Sequence, residues 1–189
     1  TVELCSDVLA ESAETINLAL TGPSAGTNLG VQTSAVLTIT DTASQYRNPA
    51  PIAVTQGAPA DLYPSTINVT GAPTNVFRIR VTLFDFMPTP GDHVDLLLVG
   101  PNGAKYVLMV HVGSPVPLAS PVTLTFSDGA SEVLPDSGPL TSGSFLPTNC
   151  DFANDFTAPA PVGPYIDPGC DIERLAAETL YGAFSQQDG

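Results

Sequence analysis

Apolar and polar residues alternate with a period of two over much of this chain, the pattern of strands that bury one face. Ile16, Leu18 and Leu20 point one way, with Asn17 and Ala19 between them. Val36 to Thr40 (VLTIT) is a β-branched run that stops at Asp41. Val76 to Phe86 (VFRIRVTLFDF) alternates over its whole length. There Phe77, Ile79, Val81, Leu83 and a nearby aromatic share a face, while Arg78, Arg80, Thr82 and Asp85 face away or lie near the rim. Val94 to Val99 (VDLLLV) and Tyr106 to Val112 (YVLMVHV) flank Pro101-Asn102-Gly103, a turn signal. Val122 to Phe126 (VTLTF) reads as a further strand. Short strands at intervals of about ten residues, divided by turn residues, predict a β-sandwich or jelly roll.

One short helix is expected near the end, with Asp171 as its cap and Ile172, Leu175, Ala176 and Leu180 on one face. Between Ala43 and Pro64 the alternation lapses and prolines gather. That shift predicts a boundary near Gln45 to Asn48, giving segments 1–44 and 45–189, with Ile52 to Thr55 as a first strand of the second.

Composition narrows the function classes. The chain has 189 residues, with 19 Asp and Glu against 5 Lys and Arg, a formal charge of -14. Such a surface repels phosphate backbones at long range, so nucleic acid is not an expected partner. Only 13% of residues are charged, and 19 Pro and 16 Gly interrupt the chain, which disfavours long helices. No apolar run approaches the roughly 18 residues of a membrane-spanning helix. The chain starts without Met and carries no basic and apolar leader, which reads as a mature or internal piece.

The three cysteines are Cys5, Cys150 and Cys170. An odd number permits one intrachain bridge with one thiol left over, and the Cys150–Cys170 interval is a plausible bridged loop in an oxidising compartment. A metal reading is weaker, because neither cysteine sits in a C-x-x-C pair. Cys5 is either a buried small apolar residue or pairs outside this sequence. Nothing marks an enzyme. His93 and His111 are the only histidines, and the chain lacks a G-x-S-x-G elbow and a Gly-rich phosphate loop. Asp151, Asp155, Asp167 and Asp171 around the cysteine loop read as solvated acids. Asn68-Val69-Thr70 is an N-x-T sequon within an expected strand.

Two family resemblances follow from motifs. Ser6-Asp7, Glu11, Glu14 to Leu18 (ETINL), Leu29-Gly30 and Ala35 to Asp41 (AVLTITD) resemble the second half of a Calx-beta module. That family is an immunoglobulin-like sandwich, and some members bind calcium through carboxylates at one end. The resemblance implies Asp7, Glu11, Glu14 and Asp41 as candidate Ca²⁺ ligands. Ser6 and Thr42 stand where the family is usually acidic.

Residues 48 to 189 resemble the P-domain-like modules of proprotein convertases and large bacterial secreted proteins. The carrying motifs are Tyr63 to Ile67 (YPSTI), Asp92 to Pro101 (DHVDLLLVGP) with Gly103, Val107 to Met109, Val122 to Phe126, Leu134 to Gly138 (LPDSG) and Pro159 to Pro161. The implied fold is a β-jelly roll. The family ending, N-G-x-W-x-L and a last strand, should begin where Gln187-Asp188-Gly189 stand, which reads as a module cut short. In this segment Asp92, Asp95 and Asp136 are the oxygen donors that could hold a Ca²⁺ ion between loops.

The expected protein is therefore all-β: a partial immunoglobulin-like sandwich followed by a jelly roll. Its expected role is non-catalytic, structural or adhesive, at an extracellular or cell surface. Its expected partners are other copies of itself or neighbouring modules, joined in a fibre by strands supplied between subunits. The alternatives are the accessory P-domain of a secreted subtilisin-like protease and a carbohydrate-binding module. For the last, Tyr46, Tyr63, Tyr165 and Tyr181 are the available stacking residues.

Overall fold

The computed structural model describes residues 14–19, 21, 25–26, 34–39, 45–54, 58–71, 78–87, 94–113, 118–151, 156–171 and 179–184. Its strands are β1 (Glu14–Ala19), β2 (Ser34–Ile39), β3 (Arg80–Phe86), β4 (Leu96–Val99), β5 (Lys105–Val110), β6 (Val122–Ser127), β7 (Gly143–Phe145) and β8 (Thr148–Asn149). The helix α1 covers Leu180–Phe184. Among the described residues the regular structure is strand apart from the short α1, so the protein is all-β.

The chain divides into two compact units. One holds Thr1–Arg47 with Asn68–Pro73, the other Asn48–Ile67 with Thr74–Gly189. In the first, β1 and β2 pair antiparallel, from Glu14 beside Ile39 to Ala19 beside Ser34. They form a two-stranded sheet. Residues 65–70 of the sequon region are exposed and not a strand, with Val69 58% exposed. The strand expected there does not form. Ile67 likewise keeps 46% of its surface exposed.

The second unit has two three-stranded sheets, ordered β3-β6-β7 and β4-β5-β8. Each is mixed, since β6–β7 and β5–β8 run parallel and the other pairs antiparallel. Both sheets contribute to one core: Leu124, Phe126 and Phe145 from the first, Tyr106, Leu108 and Met109 from the second. Strand β6 shows the period of two in its burial. Val122, Leu124 and Phe126 are buried while Thr123 and Thr125 are half-buried. Strand β5 is buried on both faces from Tyr106 to Val110. A strand covered on both sides reads as a continuous apolar run, as YVLMV does.

The turn between β4 and β5 follows from its residues. Gly103 takes φ +84°, a region costly for other residues, and its N–H donates to the Gly100 carbonyl at 3.0 Å. Asn102 Oδ1 accepts from the Ala104 N–H at 2.9 Å. The alternation in β3 breaks at a bulge between Leu83 and Phe86, where Asp85 adopts φ 52°. The extra residue turns Phe86 inward, against the core with Ile79, Val81 and Leu83, and leaves Phe84 71% exposed. Phe86 is thus the aromatic that completes the inner face.

Two other expectations change. Ile52 to Val54 is not a strand; the Ala53 N–H donates to Asp61 Oδ1 at 2.7 Å, and the Asp61 N–H returns to the Ala53 carbonyl at 3.0 Å. Pro49, Pro51 and Pro59 remove the amides a ladder would need. The helix expected from Asp171 lies largely in 172–178, outside the described residues. The observed helix starts at Leu180, with Thr179 as its cap: the Gly182 N–H donates to Thr179 Oγ1 at 3.0 Å.

Candidate functional site

Strand β3 ends its sheet, and among the described residues its outer edge has no strand beside it. Its inner-face side chains are fixed by the core, so its outer face is fixed as well: Arg80, Thr82 and Phe84 lie on the side away from Val81 and Leu83. The Thr82 and Thr125 hydroxyls hydrogen-bond across to β6 at 3.1 Å, which holds the register. Arg78 and Arg80 are exposed, and neither has an ion-pair partner among the described residues. Phe84 and Met87 are 71% and 55% exposed. Among the described residues the edge thus offers backbone groups that no strand pairs, two cations at its start and an aromatic at its far end. That arrangement can accept an extended peptide.

A cleft of about 270 Å³ adjoins the start of this edge, lined by Arg78, Ile79, Ser127, Asp128, Gly129, Thr179 and Tyr181. Its carboxylate is already committed. Asp128 Oδ1 accepts from the Leu180 N–H at 2.8 Å, and Oδ2 accepts from the Tyr181 N–H at 2.7 Å. With Thr179, three of the orphan amides at the start of α1 are satisfied. The sequence marks Ser127-Asp128-Gly129 only as a turn. Nothing in it signals a helix start some fifty residues further along, and Asp128 was missed for that reason.

The second feature is the disulfide corner. Cys150 and Cys170 are bonded, with Cα atoms 4.5 Å apart and a sequence separation of 20. The bridge reinforces two backbone hydrogen bonds, Cys150 N–H to the Val110 carbonyl at 3.0 Å and Asn149 N–H to the Gly169 carbonyl at 2.8 Å. Beside it His111 Nδ1 lies 3.4 Å from Asp151 Oδ2. Asp167 Oδ1 accepts from the Gly169 N–H at 2.9 Å, so this acid forms a turn.

The third is an aromatic and proline loop. Tyr165 meets Phe156 edge to face at 5.2 Å, and Lys105 Nζ lies 5.8 Å from the Tyr165 ring centre. Lys105 Nζ also donates to the Val162 carbonyl at 2.6 Å. The Tyr63 hydroxyl donates to the Thr157 carbonyl at 2.8 Å, and that of Tyr165 to the Pro161 carbonyl at 2.9 Å. Burial, then the neighbouring Tyr165, push the Tyr63 phenol above the usual tyrosine range, against a lowering by the Ala160 backbone. It stays a donor at neutral pH. The rings of Tyr63, Phe156 and Tyr165 are all half-buried and hold the loop. Tyr46 is also half-buried, and Tyr181 lines the cleft.

Of the carboxylates considered for Ca²⁺, Asp7, Glu11, Asp41 and Asp92 lie outside the described residues, as does the side chain of Glu14. Asp95 is exposed just before β4, and Asp136 is exposed in the LPDSG loop. Among the described residues no group of three His, Cys, Asp or Glu side chains converges on a common point. Among the described residues no helix is long and apolar enough to cross a membrane.

No family model, no curated protein and no solved structure matches this chain.

Proposed function

We propose that the protein is a non-catalytic structural and adhesive β-module of an extracellular or cell-surface protein, whose copies associate. The observation that carries this reading is the Cys150–Cys170 bond, which staples the Asp151–Gly169 stretch onto β5 and β8. Such bonds form and persist in oxidising compartments. The outer edge of β3, beside which no described strand lies, supports association. We further propose kinship with P-domain-like jelly rolls for residues 48–189. It is supported by the DHVDLLLVGP stretch, whose second half forms β4 and leads into the glycine turn before β5.

The test uses the full chain expressed into an oxidising compartment. Thiol titration under denaturing, non-reducing conditions should find one reactive cysteine, and sedimentation velocity should show multimers that grow with concentration. Three reactive thiols, or a chain that stays monomeric to about 100 µM, would overturn the reading.

A further inference from the structure

We propose that the folded chain presents Asn68 as an acceptor for an N-linked oligosaccharide, a modification site whose natural setting rests on the extracellular reading above.

The sequence supplies the chemistry. Asn68-Val69-Thr70 is the chain's single N-x-S/T sequence, since no other Asn has Ser or Thr two places on. Its middle residue is Val69, not Pro, and Gly71 follows it. In the transfer, Asn68 Nδ2 bonds to the anomeric carbon of a lipid-diphosphate-linked oligosaccharide. The bond from that carbon to the phosphate oxygen breaks, and the lipid diphosphate leaves with the electron pair. One amide proton passes to a base of the transferase. The product is a bulky, hydrophilic group on the surface.

The structure supplies the access. A transferase must take the acceptor segment into its own site, so that segment has to stand clear of the core and outside a sheet. Residues 65–71 are exposed at every position and belong to no strand. Ile67 and Val69 flank Asn68 and would be the first to bury if the segment packed down, yet both stay exposed. Among the described residues no backbone hydrogen bond ties Thr66 to Thr70. The chain just before is held: the Tyr63 hydroxyl donates to the Thr157 carbonyl, and Asn48 Nδ2 donates to Ser65 Oγ at 3.2 Å. Gly71 then turns the chain at φ +68°, and a Cβ placed there would meet nothing within 4 Å, so the space beyond Thr70 is open as well. The acceptor thus sits on an exposed segment that is anchored on its N-terminal side.

The test uses the purified, folded full chain, incubated with a single-subunit oligosaccharyltransferase of the eukaryotic type and a lipid-linked oligosaccharide, with the product mapped by peptide mass spectrometry. One glycan, on Asn68, is expected. Asn68→Gln and Thr70→Ala should each abolish it, and Thr70→Ser should keep it. All three should leave the urea midpoint unchanged, because the positions are exposed. A folded chain that stays unmodified while a peptide of residues 65–71 is modified in the same reaction would show that the fold closes the segment, and would overturn the proposal. Failure of both chain and peptide would overturn it too, since the sequence would then be no acceptor.

Thiol titration of the same sample separates this inference from the reading it rests on. One reactive cysteine with Asn68 unmodified overturns the acceptor site and leaves the extracellular reading standing. Three reactive thiols with Asn68 modified overturn the extracellular setting and support the acceptor geometry.

Discussion

Strands β2 (SAVLTI) and β5 (KYVLMV) draw on similar apolar residues, yet they end in different environments. In β2, Val36 keeps 64% of its surface exposed; in β5, Tyr106 to Val110 keep at most 2%. The difference is the number of neighbours. Strand β5 has β4 antiparallel on one side, with β8 and the Ile166 bridge parallel on the other. Among the described residues, strand β2 has β1 alone. A strand is buried by what its sheet packs on, so the same alternation describes both a core layer and a ribbon that still has faces and edges to give.

The sharpest way to break this comparison is to delete side chains on each side of it. Leu124→Ala, at a residue with no exposure, should cost about 3–5 kcal/mol by equilibrium denaturation, from lost burial and the cavity left behind. Val36→Ala should stay within about 0.5 kcal/mol. Equal losses would mean that the ribbon is packed as the core is.

The disulfide comes next. Cys170→Ser should cost about 3 kcal/mol, the loop-closure value for a separation of 20 residues, seen as a lower urea midpoint. The loss should be largest in hydrogen exchange at Asn149, Cys150 and Val107, whose amides bond to Gly169, Val110 and Ile166. Unchanged exchange there would show that the core alone holds this loop.

Asp128 measures how firmly α1 belongs to the core, where Leu180 is fully buried. Asp128→Ala strips acceptors from two helix amides and should cost about 1–2 kcal/mol, with faster exchange at Leu180 and Tyr181. Asp128→Asn keeps one acceptor and should lose about half as much.

The smallest effect is at the β3 bulge. Asp85→Gly removes the Cβ penalty at φ 52° and should stabilise by about 0.5 kcal/mol. Asp85→Val, which tolerates that conformation poorly, should destabilise by about 1 kcal/mol and turn Phe84 or Phe86 out of place. Near-ultraviolet circular dichroism of the aromatic side chains would report the latter.

Much of the strand order was legible from local pattern. The expected runs from Ile16, Val36, Val76, Val94, Tyr106 and Val122 each overlap an observed strand, though β4 starts only at Leu96 and β5 stops at Val110, and Pro101-Asn102-Gly103 does turn the chain between β4 and β5. Strands β7 and β8 were not legible: GSF and TN are too short to show a period, and each exists through a parallel partner distant in sequence. The candidate edge was half legible. The arginines and aromatics of VFRIRVTLFDF were visible, but not which aromatic faced water. The bulge that decides it needs β6 as a template.

By itself the sequence determined the all-β class, the alternation of the strands, the turn glycine and the acidic balance, because each depends on a residue and its near neighbours. Only the tertiary structure decided which strands are layered into the core, which stand at an edge, and that Asp128 holds a helix far along the chain. Those outcomes depend on which surfaces meet after long loops close. Local propensity, worth a fraction of a kcal/mol per residue, cannot specify them against burial worth several.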